Sequence, residues 1–329
     1  MIVAPDDAGI RRAVRLLRAG SVVAFPTETV YGLGADATSA DAIAEIYRLK
    51  QRPSWNPLIV HVADVAQARA LARRWPAVAE ELADRFWPGP LTVVVERAAG
   101  LPGDLDTVAL RIPAHPVALR LLRESGLALA APSANRSESI SPTTAQHVLA
   151  SLPEVPLVLD GGPAACGIES TVVDLTVSPP RLLRPGALGL RALREVTGPL
   201  TLPGGVVSGA VAGQDDARPD DGTVVADGVA RPSPGMSRRH YAPRARLILA
   251  EDVSAVPRAG LAGPVAVLTY EGRGSGDEVL SADPGEYAAD LYAALHRLDD
   301  ARAGTILVQA PPDTEDWLAI RDRLGRAAA

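Results

Sequence analysis

A change in amino-acid composition at residue 201 constrains how this 329-residue chain can fold. Residues 201–231 are rich in glycine and aspartate, lack aromatic side chains and show no helical periodicity, which is typical of a linker or mobile loop. A chain of this length also exceeds what one hydrophobic core usually serves. We therefore predict a larger domain over residues 1–200, a linker or lid over 201–243 and a smaller domain over 244–329.

The part before this segment mixes short apolar strands with amphipathic helices. Asp6 or Asp7 can cap a first helix, whose apolar residues recur on one face from Ile10 to Leu17, and Gly20 ends it. The strands and helices do not alternate strictly, which favours an α/β fold with a twisted mixed sheet and helices around it. Strands are predicted near 21–25, 58–62, 91–96, 107–112, 127–131, 156–160, 170–175 and 181–184.

The part after residue 244 is shorter and more regular. It predicts a small Rossmann-like α/β domain with parallel strands. The predicted strands are 246–250, 265–269 and 304–309, and the predicted helices are 286–298 and 314–326.

Composition narrows the class of protein. The chain is 47% hydrophobic and 22% charged, which is typical of a globular protein, and its net charge of −6 argues against extensive wrapping of nucleic acid. With the single cysteine Cys166 and neither a signal segment nor a run of 18 apolar residues, we expect a cytoplasmic protein that makes no membrane contact.

Glycines, hydroxyls and cations collect where the predicted strands end. In the segment 25–34, two glycines close a loop that carries Thr27 and Thr29, which suits either a small polar ligand or a tight structural turn. Lys50 and Arg52 end a helix, where they either complement its dipole or bind an anion. Lys50 is the only lysine of the chain.

Further motifs continue this pattern. Arg111 lies inside a strand and needs either an internal carboxylate or a ligand carboxylate as its partner. Together the motifs indicate a cavity for a small ligand that carries phosphate and carboxylate groups. The other polar candidates are Asn56, His61, Thr107, Ser133, Asn135, Ser141, Ser170 and Arg184.

Several common signatures are absent from the sequence. It contains no Walker A motif, no dinucleotide fingerprint, no nucleophile elbow and no Cys/His zinc spacing. A bound nucleotide would therefore need an unrelated cradle, and the sequence assigns no protein ligand to a metal.

The ordered motifs PTETVYGLG, KQRP, NPLIVH, WPGPLT, VALRIPAHP, APSAN, GIEST and LLRPG resemble the threonylcarbamoyl-AMP synthase family. The resemblance is to the two-domain form, with a YrdC-like domain and a small C-terminal domain. It implies condensation of L-threonine, bicarbonate (or CO₂) and ATP into threonylcarbamoyl-adenylate, with Mg²⁺ accompanying ATP. It also implies a downstream transferase complex that modifies adenosine 37 of tRNA, so that this chain would meet tRNA only indirectly.

The resemblance implies roles for individual residues. L-Threonine would contact Thr29, His61, Arg111, Ala131 and Ser170. ATP would contact Lys50, Arg52, Asn56, Thr107, Ser133, Asn135, Ser141 and Arg184, and the linker would bring Met236, His240 and Tyr241 over the nucleotide. Lys50 and Arg52 would act in catalysis by neutralising charge.

Two other functions remain open at this stage. An RNA-binding regulatory module without catalysis is one, although the sequence lacks a basic surface interleaved with aromatic residues. A carbamoyl-transfer enzyme is the other, although such enzymes carry added acylphosphatase and zinc-finger regions that this chain lacks.

Overall fold

The structure is a computed structural model that describes residues 1–202, 207–208 and 239–329. Most of the predicted linker, including Met236, lies outside the described residues. The helices are α1 (Asp7–Arg18), α2 (Ala40–Lys50), α3 (Val65–Ala70), α4 (Ala77–Phe86), α5 (Pro116–Ser125), α6 (Ala145–Ser151), α7 (Leu190–Thr197), α8 (Pro284–Asp300) and α9 (Leu318–Ala327).

Two groups of strands follow the chain order. The first group is β1 (Ile2–Val3), β2 (Val23–Phe25), β3 (Gly32–Asp36), β4 (Ile59–His61), β5 (Leu91–Glu96), β6 (Thr107–Arg111), β7 (Leu129–Ala130), β8 (Val158–Leu159), β9 (Thr171–Asp174), β10 (Arg181–Arg184), β11 (Leu200–Thr201) and β12 (Val207–Ser208). The second group is β13 (Arg246–Ala250), β14 (Val265–Tyr270), β15 (Glu278–Leu280) and β16 (Thr305–Gln309).

The first group forms a 12-stranded mixed sheet in the order β1-β8-β2-β3-β7-β4-β6-β5-β9-β10-β11-β12. Strands β4 and β6 are parallel, with His61 opposite Arg111 in the register. Because paired residues of neighbouring strands point to the same face, this register brings two predicted site residues together. The predicted mixed α/β sheet is thus confirmed.

Local sequence explains why the helices begin and end where they do. The side chain of Asp6 accepts a hydrogen bond from the backbone N–H of Gly9 at the start of α1, and Gly20 follows the helix with a φ of +78°. Ser39 caps α2 in the same way, and Gln51 ends it in the left-handed conformation.

Some elements were not predicted. Gly32 and Gly34 were expected to close a loop, but they lie in β3 (Gly32–Asp36), between β2 and β7. Strand pairing overrides the poor strand propensity of glycine here, and a Cβ at Gly34 would lie 2.6 Å from the Phe25 ring. Elements β1, α7 and β15 were also missed, since each is short or weakly periodic.

The first sheet also continues past the predicted boundary at residue 200. Strand β11 pairs with β10, and β12 pairs with β11, so residues 201 and 207–208 belong to the sheet rather than to a linker. The sequence did not predict β11 and β12, because two very short strands give little signal in a glycine-rich segment.

The second group forms a four-stranded sheet in the order β13-β16-β14-β15, with all of its pairs parallel. Its hydrophobic core includes Leu291, Tyr292 and Ile306, and it extends to Val30, Ile140 and Ile168 of the first part. Val30 and Ile140 adjoin the candidates Thr29 and Ser141, and Ile168 lies two positions before Ser170, so the second domain packs directly on the loops that carry the site.

A close backbone approach fixes this packing. Gly167 has a φ of +69°, and a Cβ added there would lie 2.4 Å or less from the carbonyl oxygens of Ala288 and Ala289 in α8. Only glycine satisfies both the conformation and the contact.

We expect Gly167→Ala to destabilise the protein more than Gly126→Ala. Both glycines have a φ of +69°, but nothing lies within 4 Å of a Cβ at Gly126. The positive φ costs about 1–2 kcal/mol at each position, and the clash at Gly167 adds about 1–3 kcal/mol. Urea unfolding of the two variants checks the difference; equal losses would mean that α8 does not constrain this loop.

Candidate functional site

The predicted polar loops meet around a small cavity of about 50 Å³ at the ends of the central strands. Most of its lining comes from the first domain, and the segment just before β13 supplies His240 and Tyr241. Ten of the predicted site residues line it: Thr29, Arg52, His61, Arg111, Ala131, Ser133, Ser170, Arg184, His240 and Tyr241.

One end of the cavity is built around Arg111. Its Nη1 donates to the hydroxyl of Thr29 over 2.9 Å, and its Nη2 donates to the carboxylate of Glu28 over 2.6 Å. The other carboxylate oxygen of Glu28 accepts from the N–H of Ala114. The structure therefore resolves the question left by the sequence: within the protein, the partner of this buried arginine is an internal carboxylate.

The imidazole of His61 lies at the same end and is neutral. Burial, with Arg111 beside it, lowers the pKa of His61 to about 3. Its Nδ1 is buried and has no hydrogen-bond partner among the described residues. A buried polar atom without a partner is costly, so this nitrogen is well placed to meet a ligand.

The other end of the cavity is cationic. Arg52 donates to the side-chain oxygen of Asn56 over 2.6 Å, and Arg184 donates to the backbone and hydroxyl oxygens of Ser170. Burial lowers the pKa of Arg52 to about 10, so it stays protonated at neutral pH. Asn56 is thus the residue that orients Arg52 rather than a wall of the cavity.

Lys50 is the last residue of α2, as the sequence predicted, but its side chain does not line the cavity. It is only 1% exposed, and its ammonium group donates to the carbonyl oxygens of Ser133 and Asn135 over 2.6 and 2.5 Å. Burial, with Arg52 nearby, lowers the pKa of Lys50 well below its usual value. Lys50 therefore holds the APSAN loop beneath the cavity, with one of its three N–H donors left for another acceptor.

The remaining predicted residues lie behind the cavity or beside it. Asn135 donates to the carbonyl oxygen of Ser139, and Ser141 donates to Glu169 over 2.6 Å. Thr107 borders a separate, mostly apolar cleft of about 530 Å³, which includes Tyr47 and Pro57.

Sequence reasoning missed two carboxylates, Glu28 and Glu169. Each is the one acidic residue within a motif of hydroxyls and glycines, and this was the available signal. Burial disfavours the charged form of Glu169, but Arg323 and Arg184, with the hydroxyl of Ser141, more than offset this and lower its pKa to about 2.

His240 and Tyr241 close the cavity. Both are at least 95% buried, Tyr241 adopts a φ of +63°, and its ring stacks with Tyr292 at a centroid distance of 5.8 Å. The His240 Nδ1 and the Tyr241 hydroxyl have no hydrogen-bond partner among the described residues. Their side chains therefore present polar atoms where a ligand could meet them.

The donor set does not suit a metal ion held by the protein alone. Among the described residues there is no cluster of three His, Cys, Asp or Glu side chains that could hold one. The two carboxylates near the cavity already pair with Arg111 and Arg323.

Among the described residues, the helices are too short or too polar to span a membrane.

Comparisons with known proteins extend over nearly the whole chain. A family model of Sua5, YciO and YrdC proteins, described as "Telomere recombination", matches residues 15–186, and one described as "Threonylcarbamoyl-AMP synthase, C-terminal domain" matches residues 191–329. This chain belongs to the threonylcarbamoyl-AMP synthase family. The resemblance seen in the motifs is thereby confirmed, including its two-domain form.

Individual relatives agree with this assignment. Threonylcarbamoyl-AMP synthase of Pyrococcus abyssi is 41% identical over 98% of this chain and 95% of its own length. The enzyme of Bacillus subtilis is 40% identical over 98% of this chain and 94% of its own length. The crystal structure of P. abyssi Sua5 complexed with L-threonine matches with a TM-score of 0.86 and 37% identity, covering 100% of this chain and 97% of that one.

Two stacked histidines lie directly behind the site. The rings of His147 in α6 and His296 in α8 are 3.8 Å apart, and the Nε2 of His296 lies 3.2 Å from the carbonyl oxygen of Ser141. Burial lowers the pKa of both histidines. The pKa of His147 falls to about 4, because the His296 ring and Arg297 add to the effect of burial. Other charges near His296 are Arg244, Asp299 and Asp300.

We expect the free energy of unfolding to fall as the pH drops from 6.5 towards 4. In this window the unfolded chain binds protons that the folded histidines exclude, so acid favours unfolding. The variant His147→Gln should flatten this dependence. Urea unfolding at pH 7 and pH 5 measures the slopes; identical slopes for wild type and variant would contradict the prediction.

Proposed function

We propose that this chain condenses L-threonine, bicarbonate and ATP into threonylcarbamoyl-AMP and releases pyrophosphate. The observation that carries the proposal is one cavity with an Arg111–Thr29–His61 end and an Arg52–Arg184 end, in a chain of this family. The first end suits an amino-acid carboxylate and hydroxyl, and the second suits phosphates.

The threonine end supplies both charge and hydrogen bonds. Arg111 is shared between Glu28 and the ligand carboxylate, while the Thr29 hydroxyl and the neutral His61 contact the rest of the amino acid. Ala131 and Ser170 would complete the pocket. The threonine amine must be neutral to attack CO₂ or an activated carbonate, and a buried site that already contains several cations favours the neutral amine.

The nucleotide end works by neutralising charge. Arg52 and Arg184 would pair with the phosphates, and the remaining N–H of Lys50 would reach them from below the APSAN loop. The segment 52–58 borders both the cavity and the apolar cleft with Thr107, so the adenosine part would extend along it. Mg²⁺ would arrive as the complex with ATP, because phosphate oxygens supply the ligands that the protein carboxylates cannot.

The reaction needs no covalent enzyme intermediate. The carbamate of threonine attacks the α-phosphate of ATP, and pyrophosphate leaves. The residues contribute positioning and charge neutralisation, and a dry cavity protects the carbamate and the adenylate from hydrolysis.

The cavity is small for the proposed ligands. About 50 Å³ is far less than the roughly 300–1,000 Å³ of typical ligand sites. We propose that His240 and Tyr241 shift to admit ligands and then contact the nucleotide. The positive φ of Tyr241 is consistent with a strained segment at a functional site.

The product would pass to a separate transferase complex that modifies adenosine 37 of tRNA, so this chain meets tRNA only indirectly. The RNA-binding alternative is less favoured, because the best-defined polar site is a buried cavity rather than an exposed basic surface. The carbamoyl-transfer alternative is less favoured, because relatives named threonylcarbamoyl-AMP synthase match 98% of this chain.

The purified protein should release pyrophosphate only when threonine, bicarbonate and ATP are all present. Mass spectrometry of the quenched reaction should find threonylcarbamoyl-AMP. Reactions lacking each substrate in turn are the controls, and pyrophosphate release that ignores threonine would refute the proposed function.

Arg111→Met should raise the KM for threonine about 10- to 100-fold, because a hydrogen-bonded charge to the carboxylate is lost. Arg181→Met is a matched control: Arg181 lies in the same sheet and pairs with Asp174, away from the cavity. Thr29→Val tests the same end without leaving Glu28 unpaired and should also raise this KM. Wild-type KM values in both Arg111→Met and Thr29→Val would exclude threonine from this end.

A further inference from the structure

The last helix of the chain inserts an arginine into the first domain. Arg323 of α9 is 1% exposed, and its Nε donates to the carboxylate of Glu169 over 2.7 Å. Its Nη1 pairs with Asp322, and its guanidinium lies 5.0 Å from the centre of the Tyr241 ring. One side chain of the second domain thus touches both the GIEST motif and the residue that closes the cavity.

Tyr292 of α8 makes a second connection to the same carboxylate. Its hydroxyl donates to Glu169 over 3.1 Å, and the Ser141 hydroxyl donates to the other oxygen over 2.6 Å. Glu169 therefore has partners from both domains, and it lines the cavity next to Ser170. The apolar contacts of Val30, Ile140 and Ile168 with the second core hold this network in register.

Two buried cations act on the carboxylate of Glu169: Arg323 from the second domain and Arg184 from β10. Arg184 donates to the backbone and hydroxyl oxygens of Ser170, the residue next to Glu169, and its charge helps to lower the pKa of Glu169. A buried carboxylate that loses its partner is strongly unfavourable, so without Arg323 the nearest remaining cation would be drawn to it.

We infer that Arg323 and Tyr292 of the second domain are positioning residues for the nucleotide end of the site: Arg323 offsets the charge of Glu169, Tyr292 donates a hydrogen bond to it, and together they keep Arg184 directed at the cavity. The identity of the ligand as ATP rests on the proposed function. The inference therefore assigns the second domain a role in ATP binding in addition to its packing on the first domain.

A purely structural role predicts something different. If the network only joined the domains, loss of Arg323 would lower the melting temperature and weaken the binding of both ligands equally. If the network positions Arg184, loss of Arg323 would weaken the binding of ATP far more than the binding of threonine. Removing the charge of Glu169 would then restore ATP binding.

The main experiment measures Kd for ATP and for threonine by calorimetry on the full chain, with steady-state pyrophosphate release beside it. Arg323→Met should weaken ATP binding about 10- to 100-fold and change threonine binding much less, because a displaced site group costs this order of affinity or rate. Arg321→Met is the matched control, since Arg321 lies in the same helix and pairs with Asp313 at the surface. It should bind ATP as the wild type does.

Two further variants separate charge from packing. Tyr292→Phe should weaken ATP binding in the same direction but less, since Arg323 remains on Glu169. The double variant Glu169→Gln/Arg323→Met should recover most of the ATP affinity lost in Arg323→Met, because no buried carboxylate is left to attract Arg184. If Arg323→Met itself does not fold, Tyr292→Phe and the double variant still decide between the two roles.

The outcomes are distinct. Selective loss of ATP binding with rescue in the double variant supports the inference. Unchanged ATP binding, or an equal loss for both ligands without rescue, overturns it. Wild-type protein that binds ATP without threonine-dependent product would refute the proposed function while the affinities still test the inference, and wild-type protein that binds neither ligand would overturn both.

Discussion

The carboxylate of Glu169 is the point at which the two domains and the cavity meet. It is buried, so its charge must be matched locally, and the matching groups come from Ser141 in the first domain and from Tyr292 and Arg323 in the second. This requirement fixes how α8 and α9 lie on the loops of the larger sheet. The apolar contacts around it then follow from residues adjacent in sequence to the polar ones.

The same constraint recurs across the site, which is crowded with buried cations. Each receives acceptors from the protein: Arg111 has Glu28, Arg52 has Asn56, and Lys50 has two loop carbonyl oxygens. These partners hold the cations close together despite their repulsion, which is the condition under which they can bind an anionic ligand at little further cost in reorganisation. The loops are thus shaped by their cations as much as by their glycines.

Much of the framework follows from the sequence. Helices α1 and α2 have clear caps and an apolar face, and strands such as β10 and β13 lie where apolar runs predict them. The motifs also locate most of the cavity lining, since ten of the predicted residues meet there. Sequence patterns could not reveal β3, whose pairing overrides the propensity of glycine, or the hairpin-like β11 and β12, whose strands are too short to show a period.

The sequence by itself determined the α/β class, the two-part organisation and the family, because these depend on local periodicity and on ordered motifs. Only the tertiary structure decided which side chains pair with each other. It assigned Glu28 to Arg111, buried the Lys50 side chain against two loop carbonyl oxygens at the end of α2, and brought Arg323 to Glu169 from 154 positions away. Such pairings depend on burial and on the distance between side chains from remote segments, and no local pattern in the chain encodes either.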